Sequence, residues 1–310
     1  MQTTIPPERA ARIAALGYDF AAQPRERIAE CNLCGATRLV TITHRDRYGY
    51  PAPTTACARC GLVFLNPRMT AAAYGGFYDG VYRPLVSAFH GRLIDAKSIQ
   101  DEQRAYAADR AEMIRPFLRG AGLRSMLDIG GSTGVVAGHF ATEFNLEGTL
   151  IDPAPLEVEE ARGFGLDTIT GLVEEHDFGS RRFDLVIICQ TVDHLLDVGG
   201  TLRRVRDLLT DRGQLFVDIV DFRAAYLRNW SAEDATKIDH PYYLTQNTME
   251  AYLRRAGFAI TAVDYAADHL HVSYLCRLAP PVPDALPDPA AVRDLFREIR
   301  FVQNAPRPAK

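Results

Sequence analysis

Two groups of residues in this chain have types and spacings that could do chemistry. The first is Met126-Leu127-Asp128-Ile129-Gly130-Gly131-Ser132-Thr133-Gly134, with Asp152 following 18 positions after Gly134. An apolar run breaks into glycines, which let a backbone approach a ligand and take φ values that other residues resist. A helix starting near Gly134 would point its N–H groups at the same place. Asp152 ends the next apolar run, where a carboxylate can meet ribose hydroxyls at the carboxyl ends of a parallel sheet. The pattern predicts a nucleoside site. A dinucleotide fingerprint needs a second glycine two residues after the first, and Ser132 stands there instead. A strand–helix turn with no ligand is the plainer reading of the same letters.

The second group is Cys31, Cys34, Cys57 and Cys60, two C-x2-C pairs separated by 22 residues. Four thiolates so spaced can close a tetrahedral Zn²⁺ site, leaving no open position for catalysis. Gly35 and Gly61 follow the second cysteine of each pair, where a knuckle needs an unusual φ. In a reducing cytosol such pairs point to metal rather than disulfides; a redox dithiol is the competing reading. Cys189 and Cys276 lie singly in apolar runs and read as packing.

The chain has eight histidines, side chains suited to moving a proton near pH 7. His194 lies in QTVDHLLD and His240 in KIDHPYYLT, beside Tyr242 and Tyr243. His240, His194 and Tyr243 are the candidates for catalysis. The plainer roles are a helix cap or backbone bond for His194, a structural or shielding role for His240, and a pocket wall for the tyrosines. Trp230 suits a pocket lining or an interface equally. His269 and His271 read as core or surface, with the pocket as the alternative.

The elements that must position these residues follow from periodicity. Residues 1–27 read as a helical lead-in with Ile13 and Leu16 on one face, and residues 28–68 as a short, turn-rich zinc-binding region. Residues 69–121 read as a mostly helical cap, with Met113, Ile114 and Phe117 as its apolar stripe and the surroundings of Arg104 and Arg110 as its wet face. Residues 122–278 alternate strand and helix. Strands are expected over 124–129, 147–152, 167–170, 183–189, 213–219, 258–265 and 270–278, the last two antiparallel through a turn near Asp268. Helices are expected over 200–209 and 248–256. Runs such as Leu185-Val186-Ile187-Ile188 indicate strands buried on both faces. The fold class is therefore α/β, a doubly wound, mostly parallel seven-stranded sheet with a small N-terminal zinc-ribbon-like region. Residues 221–246 form an insertion that builds the acceptor pocket. Residues 279–310 form a Pro-rich linker and a terminal helix, 290–302.

Composition narrows the partners. Hydrophobic content of 47% with 24% charged residues suits a water-soluble globular fold. A net charge of −4 offers no global field for nucleic acid or anionic lipid. No apolar run approaches the length of a membrane-spanning helix, and the N-terminus lacks a signal-peptide core, so a cytoplasmic location is the expectation. Oligomeric state is left open.

LDIGGSTG resembles the first motif of the class I S-adenosylmethionine-dependent methyltransferases, with Gly131 in place of the usual cysteine. FDLVIICQTVDHLLDV is similar to that family's fourth strand and following loop, LLTDRGQLFVDIVD to its fifth strand, and DHPYYLTQNTMEAYLRRAGF to the segment before its sixth. The resemblance implies that Asp128, Gly130, Gly131 and Gly134 hold the methionine moiety. It implies Asp152 at the ribose and Leu172 and Val173, in GLVE, at the adenine, with Gln190 and Tyr82 completing the cofactor site. CNLCG, DRYGYPAP, CARCGLVFLNPR and FYDGVYR resemble the N-terminal zinc-binding region of bacterial sugar and surface-polysaccharide methyltransferases. The sugar C-methyltransferases of that kind carry a further large C-terminal domain, and this sequence ends soon after residue 278. The expectation is O- or N-methylation of a small polar acceptor, a sugar, nucleotide-sugar or surface glycan, with S-adenosylmethionine and structural Zn²⁺. The alternatives are a zinc-containing ribosomal-RNA base methyltransferase, which Arg38, His44, Arg45, Arg47 and Arg59 would suit, a natural-product methyltransferase, and a non-catalytic cofactor-binding module.

Overall fold

The computed structural model describes residues 5–306; the outermost four residues of the lead-in and of the terminal tail lie outside the described residues. The lead-in is one short helix, α1 (Pro7–Ala14), with proline in its first turn. It buries Ile13 but leaves Leu16 at the surface. Five short strands follow: β1 (Arg25–Glu26), β2 (Leu39–Thr43), β3 (Thr54–Cys57), β4 (Val63–Leu65) and β5 (Arg68–Met69). β2, β3 and β4 form an antiparallel meander, and β1 pairs with β5. The cap is three helices, α2 (Ala71–Gly80), α3 (Tyr82–His90) and α4 (Gln100–Leu118). Thr70 caps α2 by accepting from the Ala73 N–H.

Strand and helix then alternate: β6 (Ser125–Ile129), α5 (Val135–Phe144), β7 (Glu147–Asp152), α6 (Pro155–Arg162), β8 (Asp167–Thr170), β9 (Phe183–Cys189), α7 (Val198–Leu208), β10 (Leu209–Val220), α8 (Phe222–Asn229), β11 (Tyr242–Tyr243), α9 (Gln246–Ala256), β12 (Phe258–Tyr265), β13 (His271–Leu278) and α10 (Pro289–Asn304). Seven of these strands make one sheet in the order β12-β13-β10-β9-β6-β7-β8. β8, β7, β6, β9 and β10 run parallel, and β13 runs antiparallel to both its neighbours. Leu185 to Ile188 are fully buried because helices cover both sheet faces. The expected doubly wound seven-stranded sheet is present, and its switch point falls between β6 and β9, where the chain places the glycine turn.

Two details depart from the sequence reading. β10 starts at Leu209 rather than 213, because a register shift between Leu209 and Gln214 carries the charged Asp211-Arg212 step. On α4, Arg110 is buried rather than wet: its guanidinium donates to Ser273 and pairs with Asp109, while Phe117 lies partly exposed. In the loop after β8, Val173 is 3% exposed and belongs to the main core, while Leu172 is 42% exposed.

The cysteine region is not a separate bead. Cys31, Cys57, Cys60, Leu62 and Phe64 share a core with Leu202 of α7 and Met249 and Tyr252 of α9. β11, from the far end of the chain, pairs antiparallel with β4, Tyr242 opposite Phe64 and Tyr243 opposite Val63. This pairing carries the residues just before β11 toward the sheet's carboxyl edge.

Candidate active site

The glycine turn follows β6 directly. Gly130 (φ +69°) and Gly134 (φ +79°) adopt the left-handed region, and so does Ser132 (φ +50°). A Cβ on Gly130 would stand 2.3 Å from Cγ2 of Thr191, and one on Gly131 would stand 2.5 Å from both Oδ2 of Asp128 and Cδ1 of Leu150. The turn therefore keeps its shape only with glycine at both places. Asp128 lies beneath it, fully buried, with neither carboxylate oxygen hydrogen-bonded among the described residues. Burial, and then the Asp152 charge, pushes its carboxyl up to about 8.

Asp152, at the end of β7, accepts from the N–H of Ser132 (2.9 Å) and of Ala154 (2.8 Å), one on each oxygen. Each oxygen retains a lone pair for a further donor. Leu172 is 42% exposed just past β8, an apolar surface beside Asp152 that suits a base edge. Gln190 (φ +53°), the residue after β9, is another non-glycine in the left-handed region. The cap closes over this side: Arg83 of α3 pairs with Glu157 of α6 at 2.5 Å, and Glu157 accepts from the Ser132 hydroxyl.

A second cluster sits further along the same rim. Asp193 and His194 lie on a single 3₁₀ turn after β9 (Val192–His194), and Lys237, Asp239 and His240 lie on the loop before β11. His240 Nδ1 is 2.7 Å from Asp193 Oδ2, and Lys237 Nζ is 3.3 Å from Asp239 Oδ2. The His194 and His240 rings meet edge to face at 4.3 Å between centroids. Tyr78 of α2 reaches in: its oxygen is 2.6 Å from His194 Nδ1, and its hydroxyl donates to the Asp239 carbonyl (2.8 Å). Tyr82 packs against Tyr78 at 5.3 Å and lies under the Arg83 guanidinium, so it spans the two clusters. Burial, and then the His240 charge, pushes His194 down to about 4. Burial raises Asp193, but the charges of His240, His194 and Lys237 outweigh it and hold the carboxyl well below the usual range.

The expected catalytic residues thus come together, with different roles open to them. Tyr243 is 4% exposed, and its hydroxyl is spent on Lys237: it donates to that carbonyl (2.6 Å) and accepts from that N–H (2.9 Å). It shapes the loop that carries His240 and has no hydrogen left for a substrate. Tyr242 ties to Arg68 and the Leu196 carbonyl. Trp230 packs on Phe301, and His271 pairs with Asp268, both outside the cluster. Asp193, Lys237, Asp239 and Asp46, whose carboxylate accepts from the Ile238 N–H, escaped the sequence reading. The available signal was the Asp-His doublet, which occurs at 193–194, 239–240 and 268–269, the first two of which meet here.

The four paired cysteines converge. Their sulfurs lie within 4.8 Å of one another, with Cys31–Cys60 at 3.4 Å and Cys34–Cys57 at 3.6 Å. Zn–S bonds of about 2.3 Å set tetrahedral sulfurs roughly 3.8 Å apart, so the donor set fits. Gly35 (φ +69°) and Gly61 (φ +75°) turn each knuckle as expected, their N–H groups bonding the Cys31 and Cys57 carbonyls.

A doubly wound sheet with a glycine turn at its switch point and an acid ending the neighbouring strand defines a nucleoside-binding protein of the methyltransferase type. The chain belongs to the methyltransferase-domain family, whose model matches residues 98–263. It is 28% identical over 167 residues to a ubiquinone biosynthesis O-methyltransferase of Azorhizobium caulinodans, a match over 49% of this chain and 63% of that protein. The chain thus spans less than two thirds of that relative. Among solved structures it is similar to an S-adenosylmethionine-dependent methyltransferase of Clostridium acetobutylicum (15% identity, 67% of this chain and 99% of that one, TM-score 0.47). It is also similar to the CcbJ methyltransferase of Streptomyces caelestis (16%, 57% and 89%, TM-score 0.45). Among the described residues no helix is long and apolar enough to cross a membrane.

Proposed function

We propose that the protein transfers the methyl group of S-adenosylmethionine to an oxygen, or failing that a nitrogen, of a small polar acceptor such as a sugar or nucleotide-sugar. One observation carries this reading. The glycine turn with its unpartnered Asp128 and the buried Asp–His cluster lie on one rim, joined by Tyr82 beneath a cap latched through Arg83 and Glu157. The residues fit the cofactor: Asp128 and the close-packed glycines would hold the methionine part, Asp152 the ribose, Leu172 the base, with Gln190 at the rim. S-adenosylmethionine, when bound, supplies an electrophilic methyl group on a sulfonium. The protein's work is to align the acceptor and take its proton. His240 is the proposed acceptor of that proton, supported by His194 beside it and by Tyr78, which bonds the Asp239 backbone. Cys31, Cys34, Cys57 and Cys60 would hold a structural Zn²⁺ that stiffens the wall behind the acceptor.

Oxygen is favoured by the relative named for O-methylation. That relative and the aromatic wall of Tyr74, Tyr78 and Tyr82 also support a second reading, a ring hydroxyl as acceptor. Calorimetric titration with S-adenosylmethionine tests the core claim; no heat of binding at millimolar ligand would refute it. A screen of nucleotide-sugars, glycans and phenols with labelled methyl donor then separates the two acceptors.

A further inference from the structure

We propose that Asp193, His194 and His240 form a second metal site, apart from the four thiols, which takes a borderline divalent ion such as Zn²⁺ or Co²⁺ in competition with proton acceptance by His240. The site goes beyond the methyl-transfer reading; only its effect on turnover rests on that reading. One ligand atom from each of the three residues lies within 4.8 Å of the other two. Nδ1 of His240 and Oδ2 of Asp193 are 2.7 Å apart, and both side chains are 7% exposed. Zinc bonds of about 2.0–2.2 Å to nitrogen and oxygen set neighbouring donors roughly 3–3.5 Å apart, so a small spreading of these side chains admits an ion.

The surrounding groups are arranged as they are behind metal-bound histidines, whose second nitrogen faces a carbonyl or a carboxylate. Asp239 supplies both partners. Nε2 of His240 faces its carboxylate at 3.5 Å, and Nδ1 of His194 is 3.1 Å from its carbonyl. Tyr78 gives its one hydroxyl hydrogen to that carbonyl (2.8 Å), so the 2.6 Å contact between Tyr78 and His194 takes its hydrogen from Nδ1. His194 is left with an unprotonated Nε2, a ligand nitrogen. Asp193 Oδ1 is buried and meets no hydrogen-bond donor among the described residues, and a buried carboxylate oxygen without a partner is costly. Lys237 pairs with Asp239 at 3.3 Å and makes no ion pair with Asp193 among the described residues. An ion supplies the partner that the protein's own donors do not.

Two imidazoles and one carboxylate suit a borderline ion and leave coordination positions open, whereas Mg²⁺ and Ca²⁺ prefer oxygen throughout. On binding, the lone pair of His240 Nδ1 bonds to the ion, and the hydrogen of the ring sits on Nε2, facing Asp239. Neither nitrogen of His240 then keeps a lone pair for a hydroxyl proton. Ion and proton compete for one imidazole, and the filled site does not turn over.

The test titrates Co²⁺ into the full chain with its thiol site already filled by Zn²⁺. Elemental analysis after gel filtration should find one cobalt per chain beside the zinc. In ¹⁵N-labelled protein, with histidines assigned through their backbone amides, the rings of His194 and His240 should be the two of the eight that the paramagnetic ion shifts directly. Asp239→Asn, which removes an outer partner, should weaken Co²⁺ binding by about 10–100-fold, and Asp193→Asn, which removes a ligand, by more. Against the acceptor found in the screen, turnover should fall as cobalt fills the site, reaching half where the histidine shifts are half complete, with S-adenosylmethionine affinity unchanged. No cobalt beyond the zinc, direct shifts at other histidines instead, or undiminished turnover with the site filled overturns the proposal. Should the variants fail to fold, the wild-type stoichiometry and shifts decide. Failure of the methyl-transfer reading shows instead as absence of cofactor binding, which cobalt uptake does not touch.

Discussion

Asp128→Asn should make the cofactor-free protein more stable and the cofactor bind less well. Asp128 is buried under the glycine turn with both oxygens unpartnered, and its carboxyl is pushed from an ordinary 3.8 up to about 8. At pH 7 roughly three units separate the solution from the ordinary value; at about 1.36 kcal/mol per unit the cofactor-free fold carries a burden on the order of 4 kcal/mol. Asparagine removes the ionisation but leaves a buried amide unpaired, which costs about 1–3 kcal/mol. The net gain is about 1–3 kcal/mol, or roughly 2–10 °C in Tm for a chain of this size. The sign follows from the direction of the shift. A raised carboxyl contributes fully below its ordinary value and loses that contribution as pH climbs through the folded value. The wild type should therefore be the more stable by about 1–3 kcal/mol near pH 4, and the variant should overtake it progressively as the pH rises toward about 8. Thermal unfolding without cofactor at several pH values measures this, and calorimetry measures the loss of affinity. A gap that is the same at pH 4 and pH 8, or a variant less stable at pH 8, would refute the reasoning.

Gly131→Ala places a Cβ 2.5 Å from Asp128 and Leu150 and should cost about 1–3 kcal/mol in urea unfolding; Gly75→Ala, in open space on α2, should instead gain about 0.5–1 kcal/mol. Arg83→Ala severs the link between α3 and α6, a pair only partly exposed at 26% and 16%. It should change stability by less than about 1 kcal/mol while speeding release of S-adenosylmethionine in stopped-flow measurements. Cys57→Ser should abolish zinc retention by elemental analysis and open the 236–243 loop to protease, since β4 is the strand that β11 pairs with.

Local patterns in the sequence were enough for the sheet, the glycine turn and the thiol set, because each depends on neighbours a few residues apart. Leu185-Val186-Ile187-Ile188 could only be a strand covered on both sides, and two C-x2-C pairs each close on themselves. The acceptor side depends on contacts across the chain. Asp46 fixes the Ile238 N–H across 192 residues of sequence, and Asp193 means little until the loop before β11 delivers His240. Arg110 looked like surface because a lone charge usually is; Ser273, which accepts from it and donates in turn to buried Asp218, lies 163 residues further along the chain.

The pairing of β4 with β11 also sets an order of events during synthesis. Phe64 leaves the ribosome about 180 residues before its partner Tyr242. At about 5–20 residues per second that interval is roughly 10–35 s. Throughout it, neither β11 nor the α9 side chains that share a core with Phe64 have been made, and Val63–Leu65 remains an open, fully apolar edge, a ready template for another chain. The protein's exposure to aggregation is thus concentrated in nascent chains that carry β4 and not yet the acceptor loop, and slower elongation between residues 65 and 242 would lengthen it.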